Sequence, residues 1–257
     1  MVNKPKVLIL RTAGTTCDEE TAWAFSLAGA IPERVHIKRI KEGSKKLKDY
    51  QILVIPGGLS YGNDISAGKV LANEIMNNLK EEIDRFIGEK KLIIGISNGF
   101  QVLVKAGILP WNDRQRVSLG WNDSAKFESR WTYLKIEDTA SPFFKGMPSV
   151  IKLPVAHAEG KFIPENKDVL DRLEDEKLVA CRYCDADGTS HAGYPFNPNG
   201  SVNDIGGICS PDGLIVGIMP HPERALLKYY SPDWRKEDKE EYGYGFLFFK
   251  NLVAYFS

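Results

Sequence analysis

Short apolar runs alternate with amphipathic stretches up to residue 107, and that rhythm is how a parallel sheet with crossover helices is written. The runs at 7–10, 35–37, 52–55 and 92–96 read as buried strands. Thr16-Cys17-Asp18-Glu19 reads as a capping box opening a helix that runs through Ala28 and stops at Gly29. Between 66 and 87, Ala72, Ile75, Met76, Leu79, Ile83, Phe86 and Ile87 recur at spacings of three and four, which predicts one or two helices. Residues 98–106 predict a short helix closed by Gly107. The rhythm then changes. Segments 117–136 and 150–155 suggest antiparallel strands, and 185–203, rich in Gly, Asn, Asp and Pro, is loop. Residues 208–219 read as two strands joined at Pro211-Asp212-Gly213, 231–241 as a charged insertion, and 246–256 as a final helix. The expected architecture is one α/β domain over 1–257: an open mixed sheet, mostly parallel, flanked by helices.

Charge and apolar content narrow the function classes. Lys and Arg number 34 against 34 Asp and Glu, so no net positive charge favours nucleic acid. The basic run at 38–48 is broken by Glu42 and Gly43 and reads as a solvated loop. No stretch approaches the roughly 18 apolar residues of a membrane span, and the first six residues show no apolar signal core, so a cytoplasmic protein is expected. Cys181-Arg182-Tyr183-Cys184 has the spacing of half a zinc knuckle or of a redox pair, but Cys17 and Cys209 supply no second pair. Reduced thiols and no bound metal are expected.

Three segments carry chemistry. Gly95-Ile96-Ser97-Asn98-Gly99 follows an apolar strand and precedes a helix, the pattern of a nucleophile elbow, whose helix N-terminus favours negative charge at the central side chain. Pro220-His221-Pro222-Glu223 also follows an apolar run. That places His221 at the carboxyl edge of the sheet, with a carboxylate two residues on to orient its imidazole. Pro56-Gly57-Gly58 ends a third strand, and its glycines let backbone amides approach a ligand, so an oxyanion hole shared between this loop and the Asn98 amide is expected. A second His-x-Glu, His157-Ala158-Glu159, lies in the mixed half of the chain and reads as a pocket or structural element rather than the base.

Together these residues resemble the class I glutamine amidotransferases, and within them the glutaminase subunits of phosphoribosylformylglycinamidine synthases. The resemblance runs through Gly14-Thr15-Thr16-Cys17-Asp18, Gly57-Gly58-Leu59-Ser60-Tyr61-Gly62, Gly99-Phe100-Gln101 and Asn122-Asp123-Ser124. It continues in Phe127-Glu128-Ser129-Arg130-Trp131, Ala156-His157-Ala158-Glu159-Gly160, Asn197-Pro198-Asn199-Gly200-Ser201 and Pro220-His221-Pro222-Glu223-Arg224. It implies a flavodoxin-like fold and a triad of Ser97, His221 and Glu223, with Gly58 and Asn98 as the oxyanion hole. Gln101, Asn122, Ser124 and Arg130 are then candidates for holding L-glutamine. It further implies ammonia delivery to a large synthetase subunit, with a small accessory subunit, in purine synthesis. ATP and Mg would sit on the synthetase, since this chain has no Gly-x-x-x-x-Gly-Lys-Ser/Thr loop and needs no cofactor of its own.

Two positions depart from that family. Asn63 stands where it more usually has Asp, and Ser97 stands where it has the nucleophilic cysteine. A thiol near a histidine and a helix terminus ionises readily, whereas a hydroxyl must lose its proton as it attacks. Little activity is therefore expected from this chain, and the intact surroundings favour an engineered Cys→Ser exchange over a natural variant. Two other readings stay open: a serine esterase of the α/β-hydrolase type, although there the acid precedes the histidine in the chain, and a non-catalytic glutamine-binding module.

Overall fold

In the computed structural model, which describes residues 4–235 and 241–256, the elements follow one another as β1 (Lys6–Arg11), α1 (Asp18–Leu27), β2 (Ile31–His36), α2 (Ile37–Lys41) and β3 (Ile52–Ile55). Next come α3 (Lys69–Asn78), α4 (Lys80–Gly88), β4 (Leu92–Ile96), α5 (Asn98–Lys105), β5 (Val117–Trp121), β6 (Glu128–Ile136), β7 (Val150–His157) and β8 (Glu159–Pro164). The chain finishes with α6 (Lys167–Asp175), β9 (Val179–Cys184), β10 (Ile205–Cys209), β11 (Ile215–Ile218) and α7 (Tyr244–Ala254). Part of the charged insertion, 236–240, and the first three residues of the N-terminal reading lie outside the described residues.

A nine-stranded mixed sheet has the order β2-β1-β3-β4-β11-β10-β9-β6-β7. Strands β2, β1, β3, β4 and β11 are parallel, and β10, β9, β6 and β7 extend them in antiparallel fashion. A separate antiparallel pair, β5 and β8, packs beside α5. Apart from the edge strand β2, the parallel strands are buried on both faces along most of their length, so alternate residues feed two cores. Leu8, Leu10, Leu53 and Ile55 meet α2–α5, while Val7, Ile9, Ile52 and Val54 meet α1 and α7. The carboxyl ends of β1, β3, β4 and β11 lie side by side, with the order reversing at β1, where open α/β sheets place their ligands.

Several local expectations need correction. Thr16 does not cap α1: Cys17 is the N-cap and makes no side-chain cap bond, and the N–H groups of Thr16 and Cys17 both donate to the Gly57 carbonyl, binding this turn to the β3 loop. The second strand starts at Ile31 and ends before Ile37, its Pro32 tolerated because β2 is an edge strand. The basic run begins in α2 rather than loop, since Ile37 and Ile40 bury one face and His36 Nδ1 accepts the Lys38 N–H at 3.2 Å. Elements β8, α6 and β9 are additional to those expected from the sequence. Helix α6 is capped by Asn166, whose Oδ1 accepts the Val169 N–H at 2.9 Å, and it buries Val169 and Leu173. On β9, Cys181 and Cys184 are three residues apart and so face opposite sides of the sheet, both buried. Among the described residues no helix is long and apolar enough to cross a membrane.

The tightest backbone contact predicts a clear contrast. A Cβ on Gly99 would lie 1.8 Å from the Ile55 carbonyl oxygen, whereas a Cβ on Gly88 would meet nothing within 4 Å. Gly99→Ala is expected to cost about 3 kcal/mol or more in a denaturant melt. Gly88→Ala should stay within about 1 kcal/mol of the parent, in the stabilising direction.

Candidate active site

The elbow is built from backbone proximity. Helix α5 starts one residue after β4, and Ser97 makes the turn at φ 51, ψ −107, a conformation that costs a side-chain-bearing residue about 1–3 kcal/mol. Three bonds hold it there: the Ser97 N–H donates to the Ile218 carbonyl at 2.7 Å, and the Ser97 carbonyl accepts from Phe100 and Gln101. The flanking glycines are required because a Cβ on Gly95 would lie 2.6 Å from the Gly99 backbone. Ser97 is buried at the N-terminus of α5, whose first N–H groups have no partner within the helix.

His221 arrives from the neighbouring strand. In the parallel pairing of β11 with β4, Ile218 lies opposite Ile96, so the residues just beyond each strand emerge together. The His221 backbone N–H donates to the Pro154 carbonyl at 2.8 Å, and its Nδ1 lies 2.6 Å from Glu223 Oε1. Glu223 as acceptor puts the proton on Nδ1 and leaves Nε2 as the working nitrogen, buried and without a protein partner. Gly57 makes room for this ring: a Cβ there would lie 2.9 Å from His221 Cε1. Beside it, Gly58 has φ +130 and packs on Thr16. Asn98 ties this loop to the elbow. Its Oδ1 accepts the Ser60 N–H at 3.1 Å, and its Nδ2 donates to Asn63 Oδ1 and Gln101 Oε1, both at 2.9 Å. Asn63 thus retains the acceptor oxygen that an Asp would offer.

The candidates for holding glutamine divide. Gln101 is buried and crosslinks the elbow to the β7–β8 turn, donating through Nε2 to the Glu159 carbonyl. Asn122 is the fastener of His157, with Oδ1 3.1 Å from its Nδ1. Ser124 and Arg130 are not bonded to the elbow: both engage Glu128, and Arg130 also donates to Tyr194 Oη at 2.7 Å.

Cys17, which no site motif includes, and His157, expected as a pocket or structural element, both lie at this site. Cys17 presents its thiol to His221 and Glu223, the ligand atoms of the three all lying within 4.8 Å of one another, and Arg224 Nη2 approaches Cys17 Sγ at 3.2 Å. The adjacency of β1 and β3 brings Cys17 there, which no spacing in the sequence announces. Among the described residues, these three are the group that could hold a metal. Burial, then the Glu223 charge, pushes the Cys17 thiol up to about 12, which keeps it protonated and works against ligation. His157 is buried and held down to about 4 by burial and then by the proximity of His221.

The sequence pattern of the CobB/CobQ-like glutamine amidotransferase domain matches residues 4–256. The chain belongs to this family. It is 44% identical over 256 residues to the phosphoribosylformylglycinamidine synthase subunit PurQ of Dehalococcoides mccartyi, covering 99% of this chain and 98% of that one. The subunit of the same name from Archaeoglobus fulgidus is 41% identical over 267 residues, covering 97% and 96%. Among solved structures, PurLQS from Thermotoga maritima superposes with a TM-score of 0.75 at 27% identity, covering 99% of this chain and 100% of that one. The glutaminase domain of Trypanosoma brucei CTPS with bound acivicin shares the fold at a TM-score of 0.58 and 12% identity, covering 98% and 94%.

The buried His157 gives the stability a pH signature. Unfolded, the ring titrates near its ordinary value of about 6.5; folded, it titrates near 4. Between those values the unfolded chain binds more protons, so stability is full above about 6.5 and falls, by up to about 3 kcal/mol, as pH drops toward 4. Melts of the parent and of His157→Gln across this range are expected to show the variant's deficit narrowing as the pH falls.

Proposed function

We propose that this chain is the glutaminase subunit of a phosphoribosylformylglycinamidine synthase, with Ser97 at the nucleophile position, His221 as general base and acid, and Glu223 holding its tautomer. The observation that carries this reading is the elbow: a side chain at φ 51 on a helix N-terminus, beside a buried histidine whose Nδ1 is engaged by a carboxylate. In the reaction, residue 97 attacks the side-chain carboxamide of glutamine, and the Gly58 and Asn98 amides stabilise the oxyanion. His221 then protonates the departing ammonia, and water releases glutamate. The ammonia passes to a docked synthetase subunit that uses ATP and Mg to make the amidine, with a small accessory subunit completing the complex. The four free, buried thiols suit a reducing compartment, and the cytoplasm is the proposed location.

Serine at position 97 makes this form slow, because its hydroxyl must be deprotonated in step with attack. Ammonia release from glutamine in the assembled complex is expected to be at or near background as the chain stands and to be restored by Ser97→Cys. Synthesis from added ammonium at high pH should persist in both. In the Ser97→Cys background, His221→Ala should lower kcat by about 10²–10⁴-fold, with Glu223→Ala between it and the parent. Equal ammonia release with serine and cysteine would refute the assignment of position 97, and rapid turnover of p-nitrophenyl acetate with Ser97 intact would favour an esterase.

A further inference from the structure

Two of the four histidines are buried, His157 and His221, and the reaction above uses only the second. His157 closes β7, the strand whose Pro154 carbonyl receives the His221 N–H at 2.8 Å. The turn that follows is fastened to the elbow helix by Gln101 Nε2, which donates to the Glu159 carbonyl, and to the segment before α3 by the Ala67 N–H, which donates to Glu159 Oε2 at 3.2 Å. His157 thus ends a strand that is bonded to the His221 backbone and continues into a turn bonded to the elbow helix, and it lies near enough to His221 to feel its charge.

The orientation of its ring is determined by Asn122. Asn122 Nδ2 donates to the carbonyls of His157 and Lys126, both at 2.9 Å, so Oδ1 is the atom that faces His157 Nδ1. An amide oxygen only accepts, so Nδ1 carries the proton and Nε2 is a bare lone pair. Gly160 closes the Nδ1 side, where a Cβ would lie 2.6 Å from the ring. Nε2, on the other edge, is buried and has no protein partner, and His221 Nε2 is a second buried ring nitrogen in the same condition. A buried acceptor of this kind calls for a donor, and the glutaminase reaction supplies one: the –NH2 of the carboxamide.

We propose that His157 is a further catalytic residue, whose Nε2 accepts an N–H of the glutamine carboxamide and then of the ammonia it becomes. The proposal rests on the glutaminase reading. When the tetrahedral adduct collapses, the C–N bond breaks and its electron pair stays on nitrogen. That nitrogen takes the proton from His221 Nε2, and the oxyanion re-forms the carbonyl of the γ-glutamyl adduct on residue 97. No proton passes to His157. Burial keeps its ring neutral, so it orients the nitrogen with its lone pair toward the His221 proton without drawing the product into ammonium.

Two measurements test this. The first uses the full chain with Ser97 in place, labelled with ¹⁵N-histidine, and observes the ring nitrogens by NMR on addition of L-glutamine. The expected free state is an Nδ1-protonated His157 with a bare Nε2, and glutamine should move both that Nε2 signal and the His221 signals. Movement of His221 alone would overturn the inference and leave the glutaminase reading standing; movement of neither would overturn both. The second measurement uses the Ser97→Cys complex, after checking that each variant co-elutes with the synthetase subunit. His157→Phe keeps a flat ring without an acceptor and should lower kcat about 10- to 30-fold, with KM changed less than about threefold. His157→Gln offers an oxygen in its place and should recover most of that loss. A Phe variant with parental kcat, or a Gln variant as slow as Phe, would overturn the inference.

Discussion

The site depends on how closely two pieces of backbone approach. With Gly99 seated against the Ile55 carbonyl, α5 can begin one residue after β4 ends, and residue 97 is forced into a left-handed turn at the helix N-terminus. A side chain on Gly99 would push the helix off the sheet, and the Ser97 bond to Ile218 would be lost with it. The same closeness lets Asn98 reach the β3 loop and bind Ser60, which sets Gly58 beside the elbow. Strain at one residue is thus held by contacts to the two neighbouring strands, β3 and β11, the arrangement expected where a reactive group must be presented in a fixed direction.

Around that elbow the polar groups are organised in pairs that determine where protons sit. Glu223 fixes the proton on His221 Nδ1, and Asn122 fixes the proton on His157 Nδ1, so both rings turn an Nε2 away from their partners. The pairs differ in charge. His221 has a carboxylate to support an imidazolium, while His157 has only an amide and stays neutral. Two histidines of like environment would compete for the same proton; under the proposals above these would divide the work between proton transfer and hydrogen-bond acceptance. Cys17 completes the enclosure as a protonated, buried thiol against Arg224.

What the sequence makes legible follows from the range of the forces involved. The parallel half is written locally, since strands buried on both faces must be continuous apolar runs, and the elbow, His221 with Glu223, and the glycine loop each follow such a run. The edges are less readable. Strand β2 begins with an exposed Ile31 and Pro32, and its partner β1 rather than its composition makes it a strand. Helix α2 depends on two buried isoleucines within a basic run, and β8 depends on pairing with β5, which neither segment announces alone. At the site, side chains next to their motif were found, while Cys17 and the Asn122–His157 pair needed the tertiary fold to bring distant segments together. Ser124 and Arg130 resemble their family positions, yet their hydrogen bonds belong to Glu128 and Tyr194.

The central claim is that position 97 is where the carboxamide carbon of glutamine meets the protein. The most direct test treats the Ser97→Cys chain with a glutamine analogue that carries a chloroketone in place of the side-chain amide, then maps the adduct by peptide mass spectrometry. The account predicts a single adduct on the peptide containing position 97, prevented by excess L-glutamine and absent when Ser97 is left in place. An adduct on Cys17 instead, or labelling that glutamine does not prevent, would contradict it.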